Sequence, residues 1–213
     1  KFANAASFDG NNDRVDLPAL GTFYRAGFTF EAWVNKASAT KDEAVLGTWD
    51  GGGPMIWVDH LTGHYRLTLG SDFDGYLDSG QAPVPGTWQH VTATWNGTTA
   101  RFFIDGVEVA SKTFAGDIGS SNAWHVGAYR SSPVGFWDGL IDEVRIYNRA
   151  LPAAEIQADM TASVAPDRSP PSVDSMSPEE GATGVAAGAV AKATFSEVMN
   201  PATIDATTFT LRD

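Results

Sequence analysis

The chain has no cysteine among its 213 residues. That excludes a disulfide framework and any thiolate metal site. It does not exclude export, because a β-domain of this length can build a core without covalent staples. No apolar run approaches the roughly 18 residues that a membrane span needs. Basic residues are scarce: 14 Lys and Arg stand against 26 Asp and Glu, for a formal charge of −12. That balance disfavours nucleic acid as a partner, and disfavours an anionic membrane surface. It suits a secreted protein that holds cations, and equally plain solubility. Catalytic signatures are also missing. There is no Gly-x-Ser-x-Gly elbow, and His60, His64, His90 and His125 are scattered with no Glu-flanked pair to suggest zinc.

What is present is strand. Hydrophobic residues make up 43 % and charged residues 19 %, the balance of a globular chain. Short branched and aromatic runs alternate with turn residues up to about residue 150. Ala5–Phe8 and Arg14–Leu17 flank the polar loop 9–13, and Phe28–Val34, Ala44–Trp49, Met55–Asp59 and Tyr65–Leu69 follow. Asn96-Gly97 and Asp105-Gly106 are two-residue hairpin signals, since such turns need positive φ. They link Trp88–Trp95, Thr99–Ile104 and Val107–Thr113 into an antiparallel meander, and Trp124–Tyr129 and Leu140–Tyr147 complete the set. Many strands with tight turns predict an all-β fold of two packed antiparallel sheets. A short helix is expected over Pro152–Met160, then a Pro-rich linker at 161–172. Val173–Met176, Ala189–Phe195 and Thr207–Leu211 read as strands of a second, partial β segment. The expected division is 1–160, linker 161–172, and 173–213. A chain that starts at Lys1 reads as a piece of a longer protein.

Two groups of residues carry candidate chemistry. In Leu140–Tyr147, strict alternation puts Leu140, Asp142, Val144 and Ile146 on one face, toward the core. An ionised Asp142 there needs a partner, a hydrogen bond or a metal ion. Asp9, Asn11 and Asp13 alternate in the first loop and offer hard oxygens suited to Ca2+. The spacing opens like an EF-hand, but Arg14 and Leu20 stand where that motif needs Gly and Glu. The second group is aromatic. Of seven Trp, Trp33, Trp88 and Trp95 belong to strong strands and suit packing. Trp49 precedes a Gly run, Trp137 sits beside Gly135 and Asp138, and Tyr76 lies in an acidic loop. These three, with Asp50 and Asp74, are the candidates for stacking on a sugar and holding its hydroxyls. Trp57 and Trp124 are weaker candidates.

Several stretches carry a family likeness. Phe8-Asp9-Gly10 with Asp13 and Val15, Phe28–Val34, Trp88–Val91 through Trp95-Asn96-Gly97, Phe103–Gly106 and Gly139–Leu151 resemble bacterial laminin-G-like domains. The likeness spans about residues 2–158. It implies the concanavalin A-like lectin/glucanase fold, a jelly-roll sandwich. Pro170–Val173 and Thr194–Met199 resemble the front half of a bacterial Ig-like domain. The resemblance further implies that the first loop and the closing strand share calcium, with Asp9 and Asp142 as the carboxylates. Glycoside hydrolases of this fold usually carry Glu-x-Asp-x-Glu or Glu-x-Asp-x-x-Glu on one strand, and no such run occurs here. The expected function is a non-catalytic, calcium-binding, lectin-like module of a larger secreted or cell-surface bacterial protein, taking a polysaccharide. The alternatives are an adhesion or spacer module that binds a cell-surface protein, and a hydrolase or lyase of the same superfamily.

Overall fold

The structure is a computed structural model that describes residues 5–18, 20–38, 42–49, 52–70, 75–114, 118, 124–129, 135–164, 172–179, 181–186 and 188–195. The chain divides into two compact units, Lys1–Val164 and Ala165–Asp213. In the first unit the strands are β1 (Ala6–Asp9), β2 (Val15–Leu17), β3 (Phe28–Lys36), β4 (Glu43–Gly47), β5 (Met55–Val58), β6 (Tyr65–Thr68), β7 (Tyr76–Asp78), β8 (Trp88–Trp95), β9 (Thr99–Ile104), β10 (Val107–Thr113), β11 (Trp124–Val126) and β12 (Asp138–Tyr147). Helix α1 (Ala153–Thr161) follows, with Pro152 at its N-cap. They form two six-stranded antiparallel sheets, β1-β12-β3-β8-β9-β10 and β2-β11-β4-β5-β6-β7. The second unit shows β13 (Val173–Ser177) paired with β14 (Lys192–Phe195). The strand expected at Thr207–Leu211 lies outside the described residues.

Side-chain alternation explains the layers. Along β3, Phe28, Phe30, Ala32 and Val34 enter the core, and Val91, Ala93 and Trp95 of β8 lie beside them. The second sheet answers with Ile56, Val58, Tyr65, Leu67 and Trp124. A buried ion pair joins the sheets at one end: Lys36 Nζ lies 2.5 Å from Glu43 Oε2, both fully buried.

Helix α1 covers part of the outer face of the first sheet. Ile156 of α1 packs with Leu151, Phe103 and Tyr147, and the Tyr147 hydroxyl donates to Asp159 Oδ2 at 2.8 Å. Across the strands beneath runs the row Arg145, Glu31, Thr92, Phe103. Glu31 is fully buried there and neither carboxylate oxygen has a hydrogen bond. Burial raises its pKa to about 8, the Asp159 charge adds to the shift, and Arg145 opposes it.

The closing strand corrects one expectation. β12 carries a bulge: Asp142 pairs with Trp33 and Arg145 with Glu31, so Glu143 and Val144 together oppose one residue of β3. Glu143 adopts a left-handed φ of 53°. The bulge reverses the phase of the strand. Ile141 enters the core before it, and Val144 and Ile146 pack on the core after it. Asp142 therefore shares the outer face with Trp33 and does not point into the core. It is half-buried, and its Oδ1 accepts the Glu143 amide at 2.9 Å.

Candidate functional site

The outer face of the second sheet carries a different surface. Strand β5 is apolar on both sides: Ile56 and Val58 face the core, and Met55 and Trp57 face outward. Two cross-strand rows result. Ala44, Trp57, Arg66 and Asp78 form one, and Gly47, Met55, Thr68 and Tyr76 the other. Trp49 and Tyr129 close over these rows from adjoining segments, so that Trp49, Met55, Trp57, Tyr76, Tyr129 and Asp42 line a cup of about 160 Å³. Tyr76–Asp78, expected in a solvated loop, is strand and forms the far edge of this sheet.

Two glycines shape the cup. Gly47 has φ 136°, and a Cβ there would lie 2.4 Å from the Pro54 carbonyl oxygen. The close approach lets the Thr48 amide donate to Pro54 O at 3.0 Å and brings the chain to Trp49. Gly135, at φ 59°, lies beneath the Tyr129 ring, where a Cβ would collide with Cε1. The rings are mutually inclined. Trp49 and Trp57 have centroids 6.5 Å apart at 59°, and Trp57 and Tyr76 are 5.9 Å apart at 75°. Burial raises the Tyr76 phenol above its ordinary pKa, which keeps its O–H as a donor.

A polar cluster flanks the cup. Arg66 joins Asp59 Oδ2 at 3.0 Å and Asp78 Oδ2 at 3.1 Å. Asp59 also accepts the Leu61 amide and the Thr62 hydroxyl. His60 Nδ1 lies 2.7 Å from Asp42 Oδ1, and His64 Nδ1 lies 2.9 Å from Asp78 Oδ1. His60 and His64 stand four residues apart, but in a turn between strands, so they serve separate carboxylates. Burial alone would raise the Asp78 carboxyl, but the Gly80 amide, His64 and Arg66 outweigh it and hold the pKa low. Among the described residues one group, Asp42, Asp59 and His60, brings its ligand atoms within 4.8 Å of one another. Arg66 already supplies a positive charge against Asp59 there.

The calcium quartet does not assemble. In the β1–β12 register Asp9 lies opposite Asp138. Asp142 is four positions further along its strand, about 13 Å away at 3.3 Å per residue. Asp9 Oδ1 accepts the Asn11 and Asn12 amides at 2.9 and 3.3 Å, and Asp13 Oδ2 accepts the Asp9 amide at 3.0 Å. The loop is a self-closed Asx turn, and the Asn11 amide in particular holds the Asp9 pKa below the usual carboxylate range. Asp9, Asn11, Asp13 and Asp142 are thus not one ligand set.

The aromatic candidates divide. Trp49 and Tyr76 meet in the cup with centroids 5.9 Å apart. Trp137 is fully buried, with Lys36 Nζ 5.0 Å from its ring centroid, so it presents no face to a sugar. Asp50 and Asp74 lie outside the described residues. Trp57, a weaker candidate from the sequence, joins them, as do Tyr129 and Asp42, which carry no signal in the sequence. The signal for Trp57 and Met55 was available: a strand apolar on both faces needs a second layer or a ligand on its outer side.

Comparison with known proteins agrees with this architecture. The family model described as "Concanavalin A-like lectin/glucanases superfamily" matches residues 9–157. One for a bacterial Ig-like domain matches residues 167–213. No curated protein matches. Among solved structures, a candidate carbohydrate-binding protein from Bacteroides ovatus is similar with TM-score 0.60 and 17 % identity over 72 % of this chain, which spans 45 % of that protein. Domain 4 of AbnA, a GH43 extracellular arabinanase from Geobacillus stearothermophilus solved with arabinotriose, is similar with TM-score 0.57 and 23 % identity, covering 73 % of this chain and 75 % of that one. The heptameric SAP-like pentraxin from Limulus polyphemus is similar with TM-score 0.56 and 14 % identity, covering 75 % and 83 % respectively. These likenesses share the sandwich. Through residues 9–157 the chain belongs to the concanavalin A-like lectin/glucanase superfamily.

Proposed function

We propose that the first unit is a non-catalytic carbohydrate-binding module of a secreted or surface protein, and that its ligand occupies the cup on the second sheet. The observation that carries this reading is the aromatic lining, Trp49, Trp57, Tyr76 and Tyr129, with Asp42 beside it. Aromatic faces stack on the CH groups of a sugar ring, and a carboxylate accepts its hydroxyls. The carboxylates flanking the cup are engaged: Asp59 and Asp78 hold Arg66 and several donors. That favours binding over hydrolysis, which needs one free nucleophile or base and one protonated acid. The arabinotriose bound to the AbnA domain makes arabinan a rational first probe. Retention of the chain on immobilised arabinan, galactan or glucan, lost in Trp49→Ala, supports the module. Absence of retention on every polysaccharide favours the spacer or adhesion role.

Calcium is a second reading, in altered form. The register that removes Asp142 sets Asp138 opposite Asp9, and like charges directly opposite on two strands repel unless a cation lies between them. Calcium held between Asp9 and Asp138, its shell completed by backbone carbonyls and waters, would relieve that repulsion. A melting temperature raised by added Ca2+ and lowered by EDTA supports it, and identical melts in both count against it.

A further inference from the structure

The cup is small and its rings are mutually inclined. Its volume of about 160 Å³ falls below the roughly 300–1,000 Å³ of pockets that enclose drug-sized ligands, which leaves space for one sugar ring. A platform for a run of sugars needs aromatic rings in one plane. Here Tyr76 stands inclined by 55° to Trp49 and by 75° to Trp57, so the rings wall a hollow instead.

Its polar groups also select. Trp57 is 8 % exposed, and its indole N–H has no hydrogen-bond partner. An unmet donor of this kind is an exception that calls for an acceptor. The nearby guanidinium offers little to an anion, because Arg66 is spent on Asp59 and Asp78. Asp42 adds a negative charge to the lining, with His60 bonded to its Oδ1. A carboxylate entering the cup would meet that charge with no uncommitted cation among the described residues that line it.

We infer that the cup encloses a single uncharged sugar ring, the end residue or one-residue branch of a neutral polysaccharide, and rejects uronic and sialic acids. This rests on the carbohydrate-binding reading above but fails separately from it.

The full chain is titrated by calorimetry with neutral arabino-, galacto- and gluco-oligosaccharides of two to six residues. Each is then repeated after oxidation of the terminal primary hydroxyl to a carboxylate. For whichever neutral series binds, affinity is expected to change less than about threefold beyond two residues, where a tenfold change is ~1.4 kcal/mol. The oxidised form is expected to bind at least about tenfold more weakly, with Asp42→Asn narrowing that gap. Affinity that climbs about tenfold or more with length, or an oxidised form that binds as well as the neutral one, overturns the inference and leaves sugar binding standing. Absence of binding in every neutral series removes both.

Discussion

The two outer faces of the sandwich are made from similar strands and finished differently. On the first sheet, Phe103 and Tyr147 meet Leu151 and Ile156, so α1 completes the packing that the strands leave open. On the second, among the described residues, Met55, Trp57 and Tyr76 meet Ala44, Trp49 and Tyr129, and a hollow remains. An apolar outer face requires cover. Where the chain supplies it, the face is a second small core. Where the described residues supply only a rim, the face keeps a hollow. The polar residues follow the same division. Glu31 is sealed under the covered face without a hydrogen bond, while Asp42, half-buried, lines the open one.

Breaking the covered face should have the largest effect. Ile156→Ala removes the buried side chain that seats α1, and a truncation of this kind costs about 2–5 kcal/mol. For a unit of this size that is a fall in Tm of roughly 5–15 °C. Sugar affinity, measured well below the melt, should be unchanged, because the two faces share no side chain. A loss of affinity in the folded variant would show that the faces are coupled.

Breaking the open face should do the reverse. Trp49→Ala is expected to lower affinity for a retained polysaccharide by about tenfold or more, the scale of an aromatic hot spot. Its melting temperature should move by only a few degrees, since Trp49 is half-buried and lies outside the main core. Trp137→Phe is the matched control on a buried candidate, and it should leave affinity unchanged.

The pH dependence sharpens the comparison further. The folded unit keeps a proton on Glu31 up to about pH 8, whereas an unfolded chain releases it near 4.5. Between those values the folded state binds more protons, so stability should fall as pH rises through the window and level off above it. Glu31→Gln should melt close to the parent at pH 4 and several degrees above it at pH 8. A variant no more stable than the parent at pH 8 would mean that Glu31 is better solvated than its burial indicates.

Much of this architecture was legible in the residues. The branched and aromatic run Phe28–Val34 gave β3, and Asn96-Gly97 and Asp105-Gly106 gave turns in which Gly97, Asp105 and Gly106 take positive φ. The bulge in β12 was not legible. It places Glu143 in a left-handed conformation without the glycine or asparagine that usually marks one, and so reversed the reading of Asp142. Trp137 was misread for a similar reason. Its sequence neighbours include Gly135 and Asp138, but its ring is fully buried, and Lys36, whose Nζ lies 5.0 Å from the ring centroid, comes from a strand a hundred residues earlier. Trp49 and Tyr76 were readable because they border turn residues. Met55 and Trp57 depend on which face of β5 the core claims, and that is fixed by register with β4 and β6.

The most direct test follows the indole N–H signals of the seven Trp residues by ¹H–¹⁵N NMR during titration with a bound neutral oligosaccharide. Trp49 and Trp57 should shift while Trp33, on the outer face of the first sheet, stays in place. Movement of Trp33 with Trp49 and Trp57 silent would put the ligand on the wrong face and contradict the account.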